Sequence, residues 1–436
     1  MQGDSLHRGG VKRFINEETI GGLILIGCII IAMVWANSRF YEWYKYIWYE
    51  IEVGFQLGRI KMITSLHHWI NDGLMAVFFF TIGLEIKREI MDGELSSIKK
   101  AALPIGAAAG GMLFPALVYV AVVGQNPEYL DGWGVPVATD IAFALGLLAM
   151  LGKRVNVNLK IFLLAMAIAD DIGAVMVIAI FYTESIDYLE LFYGGLFLLA
   201  LFIANWVGVR RTILYGLVGF LGVWLEFMYS GIHATVAGVL IAFTMPARSK
   251  IGQKEFISRL HLLTHEIAEA KSSSSPLLTQ QQARKLSELE ELSFKAHTPL
   301  QKLEHALHPV TTYFILPVFA LSNAGIKVGG DLLEMVLHPI SLGIIGGLVL
   351  GKSIGISLIC KILIRLKLAN LPEGVGFRQI IGVSFMAGIG FTMSIFIAEL
   401  AFEEQYKQIA KVGIFLASII SAMIGMLVLL TCKRNC

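Results

Sequence analysis

Asp170 and Asp171 are adjacent inside an otherwise apolar stretch, IFLLAMAIADDIGAVMVIAIFY, running from about Ile161 to Tyr182. An ionised carboxylate in lipid costs several kcal/mol, roughly 2.5 to over 10 depending on the scale. Two in a row imply a use, and the default use is moving or sensing charge. Neighbours on one helix point about 100° apart, so the pair cannot share a single partner. One could contact a bound cation while the other meets a second group. The bland reading is a buried carboxylate neutralised by a helix dipole or a lysine.

Asp140 follows Thr139 in GVPVATD, where Pro136 interrupts another apolar stretch. If the helix breaks there, half-helix ends face each other at depth. Each N-terminal end carries about half a positive charge, which a carboxylate would neutralise. A cation contact through Thr139 is the alternative. Lys352, in LVLGKSIGIS, reads as the one basic residue that no reasonable boundary moves to a helix end. It could balance negative half-helix C-termini or form an ion pair with Asp170. Glu85 and Glu89 flank Lys87 and Arg88 and share a helix face, so their charges interact. That suits a proton sensor at an entrance, or equally a solvated helix end. Glu304, His305 and His308 are further candidate titrators, histidine being the side chain that changes charge near neutral pH. Neither the histidine pair nor HEIAE at His265 completes a metal motif, so no resident metal or cofactor is expected.

These residues need a membrane scaffold. Of 436 residues, 56% are hydrophobic and 16% charged, and mean hydropathy is +0.70. About twelve stretches are long and apolar enough for a span of ~20 residues. They centre near 20–36, 71–87, 101–124, 134–150, 158–183, 189–207, 211–228, 230–246, 309–328, 335–360, 379–400 and 409–431. No alternating pattern suggests an outer-membrane barrel. The expected fold is an all-α polytopic membrane protein of about 12 transmembrane helices. The first stretch is too long for a signal peptide and lacks a cleavage site. The four cysteines make neither a disulfide framework nor a metal spacing.

Charge distribution sets the orientation. Arg8, Lys12 and Arg13 precede the first stretch, Arg210 and Arg211 follow the sixth, and Lys433 and Arg434 end the chain. Loops after the third, fifth and seventh stretches hold no Lys or Arg. Both termini are therefore expected in the cytoplasm. Arg39–Lys61 and the pair Lys407 and Lys411 are exceptions on the outer side. The net charge of +2 gives no reason to expect a nucleic-acid partner.

Two segments stand apart. The 38–65 outer loop reads either as a β-hairpin or as an interfacial aromatic segment carrying Trp43, Tyr44 and Trp48. The polar insertion 247–308 reads as two amphipathic helices broken at Ser272 to Ser275 and Pro276, a solvated connector rather than a domain. A faint symmetry links the halves. Gly106, Gly110 and Gly111 lie in the third stretch, and Gly343, Gly347, Gly351 and Gly355 in the tenth. Small residues at such spacing let helices approach closely. The next stretch in each half is interrupted, at GVPVATD and at AGIGFTMS. Paired interruptions point to a transport site, with stretches three to five and ten to twelve as inverted repeats. The alternative is that Gly and Pro are simply common in membrane helices.

Together these features resemble the NhaA family of bacterial sodium/proton antiporters. FFFTIGLEIKRE, VATDIAFALG, AIADDIGAV, SGIHATVAGV, ILPVFALSNAG, LGKSIGIS and GIGFTMSIFI are similar to that family's segments, in its order, from about Phe14 to Leu430. Inverted repeats are already known for the family. The resemblance implies a transporter rather than an enzyme, in the bacterial inner membrane, exporting Na⁺ and with it Li⁺ against protons. It implies competition at a midplane site, electrogenic and pH-regulated. Asp170 and Asp171 match the transport aspartates, Thr139 with Asp140 the broken-helix pair, and Lys352 the essential lysine. Na⁺ would sit at Asp171, Asp170 and Thr139. Glu85 and Glu89 match a regulatory pair, and the outer loop a homodimer contact. The long 247–300 insertion departs from the pattern and makes the pH profile the least transferable property. A cation channel or sensor would use the same carboxylates without proton coupling. An intramembrane aspartyl protease needs a facing dyad, which neighbours on one helix do not supply.

Overall fold

A computed structural model describes residues 3–57, 60–183, 186–249, 251–269, 279–327 and 332–432. The expected break at Ser272 to Pro276, and Lys433 and Arg434, lie outside them. The chain runs α1 (Gly3–Ala36), β1 (Glu52–Leu57), β2 (Ile60–Ser65), α2 (Leu66–Asp92), α3 (Ile98–Val123), α4 (Pro127–Val137), α5 (Ile141–Met150) and α6 (Val157–Phe181). Then follow α7 (Tyr188–Val207), α8 (Thr212–Ser230), α9 (Ala234–Thr244), α10 (Gln253–Glu269), α11 (Gln280–Ala296) and α12 (residues 299–323). The last four are α13 (Pro339–Arg365), α14 (Phe377–Ala387), α15 (Phe391–Ala401) and α16 (Glu404–Thr431).

Lipid offers no hydrogen bonds, so spanning backbone must pair within its own helix. Among the described residues seven helices are long and apolar enough to cross, or up to nine if each bent pair counts as one span. The bent pairs are α4 with α5 and α14 with α15, each turning by 44°. Three of the twelve expected stretches fall on lesser helices. Ile20–Ala36 and α9 are apolar but short, and α12 opens with the polar turns holding Gln301, Lys302, Glu304 and His305.

Each bent pair follows a glycine-striped helix, α3 or α13, and those two stripes pack on one another. A methyl group on Gly355 would strike the Gly110 carbonyl, and one on Gly351 would strike the Pro115 backbone. Only glycine allows this backbone-to-backbone approach. It holds the two interrupted segments side by side.

The 38–65 loop forms the hairpin rather than a plain interfacial segment. β1 and β2 pair antiparallel from Glu52↔Ser65 to Leu57↔Ile60. Trp69 Nε1 donates to the Val53 carbonyl at 2.7 Å, tying the hairpin to α2. Trp43 and Tyr46 remain exposed beside it. The polar insertion folds as expected into two helices, which pack on each other. Lys285 bridges Glu266 at 2.8 Å and Glu288 at 3.0 Å. Bonding to these carboxylates holds the Lys285 ammonium above the usual lysine range.

Candidate functional site

The two breaks meet. The Asp140 amide donates to the Ile389 carbonyl at 2.7 Å, so residues 138–140 run directly against residues 388–390. Four half-helix ends converge there, and each has a partner. Asp140 caps both N-termini: Oδ1 accepts from the Phe143 amide of α5 at 3.0 Å. Oδ2 accepts from the Thr392 amide of α15 at 3.0 Å and from the Thr392 hydroxyl at 2.6 Å. The expectation of one carboxylate between two positive ends holds in this geometry, and both oxygens are committed to it.

The C-termini are matched as well. Lys352 Nζ donates to the carbonyl of Val137, the last residue of α4. Thr139 Oγ1 lies 3.0 Å from the carbonyl of Ala387, the last residue of α14. Negative carbonyl ends thus meet a cation or a hydroxyl, as the helix dipole favours. Ser394 adds a hydroxyl to the Val135 carbonyl at 2.8 Å.

Lys352 also reaches Asp170, with Nζ to Oδ2 at 2.8 Å and side chains 1% and 2% exposed. Both roles open to Lys352 in the sequence are filled at once. Thr139 Oγ1 lies 2.8 Å from the same Asp170 oxygen, so its single hydrogen is shared between Asp170 and Ala387. Asp171 points elsewhere, as 100° of rotation requires. It lines a small cavity whose walls also include Thr139, Asp140, Thr392, Thr81 and Thr312. Neither Asp170 nor Lys352 reaches that cavity. Asp171 Oδ1 is buried and makes no hydrogen bond. A carboxylate in a cavity that threonines also line offers hard-oxygen chemistry, suited to an alkali cation or a proton.

Glu85 and His308 also line this cavity. His308 Nδ1 stands 3.7 Å from Glu85 Oε1. Glu89 is differently engaged: it pairs with Arg88 at 3.0 Å and accepts the Glu94 amide at 2.9 Å. Arg88 also reaches Glu304 at 3.2 Å. The two acidic residues therefore have separate partners rather than each other. His305 is exposed and stands outside this set. Lys87 donates to the Phe243 and Met245 carbonyls, each at 2.6 Å, at the C-terminal end of α9.

One expectation fails. Lys352 is not the sole buried lysine away from helix ends: Lys411 sits two turns into α16, 2% exposed. Glu399 of α15 holds it at 2.6 Å and Lys407 at 3.1 Å. Thr392 and Ser394 were also missed. FTMS follows directly on the second break, and a hydroxyl just past a break is the local signal for a cap.

A profile of the family described as Na⁺/H⁺ antiporter 1 matches residues 12–429. The Na⁺/H⁺ antiporter NhaA 1 of Psychromonas ingrahamii is 46% identical over 97% of this chain and 96% of its own. The NhaA antiporter of Acidithiobacillus ferrooxidans is 47% identical over 97% and 98%. That of Helicobacter pylori is 44% identical over 98% and 96%. With its twin broken helices, its membrane-length spans and this match over nearly the whole sequence, the chain belongs to the NhaA family of Na⁺/H⁺ antiporters.

Proposed function

We propose that this chain exports Na⁺, and with it Li⁺, in exchange for protons by competition at Asp171. The observation that carries this reading is a cavity lined by a buried carboxylate with one unpartnered oxygen. Na⁺ entering past Glu85 and His308 meets Asp171, Thr139 and the Thr392 hydroxyl. A proton neutralises the same carboxylate and excludes the cation. If only a loaded or protonated site changes its facing, coupling follows without further machinery.

Asp170 serves indirectly. Its pairing with Lys352 makes the two titrate as a unit. Na⁺ drawing Asp170 toward the cavity through Thr139 would free Lys352 to release a second proton, which makes exchange electrogenic. Glu85, Glu89, Glu304, His305 and His308 are the candidates for pH regulation at the entrance. Inverted repeats, with α3–α6 and α13–α16 as the two units, would let the crossed breaks serve both facings, as known in this family. The basic loops support a reading, by the positive-inside rule, with the cavity mouth and both termini on the cytoplasmic side of the bacterial inner membrane, the 38–65 hairpin outside, and the 247–308 insertion inside. The hairpin is the proposed homodimer contact.

The test is Na⁺-driven proton flux in proteoliposomes for the parent, Asp171→Asn and Asp170→Asn. Loss of flux in Asp171→Asn is expected. Flux surviving both substitutions contradicts the reading.

A further inference from the structure

Two helices outside the broken pairs, α2 and α12, also give polar side chains to the cavity: Thr81 and Glu85 from one, His308, Thr311 and Thr312 from the other. The Na⁺ position at Asp171 uses none of them. All three threonines are buried, Thr312 with 4% of its surface exposed. Neighbours on an α-helix point about 100° apart, yet Thr311 and Thr312 line the same cavity. The backbone of α12 passes through a π turn over Thr311–Ile315, which rotates each residue less than an α-helical turn does. Such turns are frequent at functional sites.

A threonine hydroxyl has one hydrogen and two lone pairs. Thr81 donates its hydrogen to the Val77 carbonyl at 3.0 Å. The 3.3 Å contact between the Thr81 and Thr311 hydroxyls must then take its hydrogen from Thr311. Both hydrogens are spent, and the pair has only lone pairs left to offer. Thr312 is placed differently. Its methyl group faces Gly21 of α1, where any Cβ would strike it. Its hydroxyl, unlike that of Thr81, makes no hydrogen bond among the described residues. Glu85 adds a carboxylate one turn along α2 from Thr81.

A buried hydroxyl without a partner is costly. Acceptor oxygens beside a carboxylate are what a small hard cation takes in exchange for its water. We infer that the wall formed by α2 and α12 holds a second alkali-cation position, separate from Asp171. Its oxygens are the hydroxyls of Thr312, Thr311 and Thr81 and the carboxylate of Glu85. An incoming ion gives up part of its water there before it reaches Asp171. This rests on the antiport reading, and extends it from one cation position to two.

The test uses full-length protein in proteoliposomes. Thr312→Val keeps the side chain's shape and removes its hydroxyl. It should raise the apparent KM for Na⁺ about fivefold while the maximal rate falls by less than about half, the mark of lost binding rather than lost turnover. Thr81→Val should act in the same direction. Thr312→Ser, which keeps the hydroxyl, should stay near the parental KM. A second readout does not need transport: sodium NMR line broadening by purified Asp171→Asn protein in detergent. That variant should still broaden the line, and adding Thr312→Val should remove the effect. The inference is overturned if Thr312→Val and Thr81→Val both keep the parental KM, or if Thr312→Ser raises it as far as Thr312→Val. It is equally overturned if Asp171→Asn alone abolishes the broadening, or if the broadening survives the added Thr312→Val. Absence of Na⁺-dependent proton flux in the unmodified chain would instead overturn the antiport reading itself.

Discussion

At the scale of single residues, two adjacent aspartates have different work because a helix turns them apart. Asp170 is occupied by Lys352 and Thr139, while Asp171 faces the cavity. Replacing Lys352 by Ala is predicted to reduce the charge moved per cycle, read as current or membrane potential in proteoliposomes. Unchanged charge movement contradicts the second-proton step. Asp140 is a cap before it is anything else. Asp140→Ala removes acceptors from two helix N-termini, each worth about 1 kcal/mol. A clear fall in melting temperature in detergent is predicted, larger than for Thr392→Val, which removes only the hydroxyl bond. The residue types were legible in the sequence, because charge in an apolar run is conspicuous. Their pairing was legible only as alternatives, since which of Asp170, Val137 or both meets Lys352 depends on where α13 crosses the break.

At the scale of elements, the breaks were readable from Pro136 and from Gly388 and Gly390, and glycine stripes announced the close packing of α3 on α13. The partners of the half-helix ends were not readable, because Thr392 and Ala387 lie some 250 residues from Asp140 and Thr139 in sequence. Lys411 was misread as an outer boundary charge for the same reason. Its partner Glu399 is on another helix, and local composition cannot show that a lysine two turns into a helix is buried. Removing one partner of a buried ion pair leaves the other uncompensated, at a cost of about 3–5 kcal/mol. Glu399→Gln is accordingly predicted to lower the melting temperature markedly, and an unchanged melt would show the pair to be dispensable for stability. The outer hairpin was undecided in the sequence because aromatic and β-branched residues suit both a strand and a membrane interface. Its backbone ladder and the Trp69 bond decide it.

At the scale of the whole molecule, hydropathy identified the membrane class: among the described residues seven of the twelve stretches form single membrane-length helices, two form the bent pairs, and three fall on shorter or polar-ended helices. If the hairpin is the dimer contact, deleting residues 52–65 should shift the protein toward monomer in cross-linking while exchange persists. A dimer unaffected by the deletion would place the contact elsewhere. If Na⁺ and H⁺ contend for one carboxylate, the apparent KM for Na⁺ must depend on pH. One-site competition predicts that KM rises by about tenfold for each pH unit lowered through the range where the site protonates, with the maximal rate changing little. A KM that stays constant across that range while the maximal rate falls would contradict competition at Asp171.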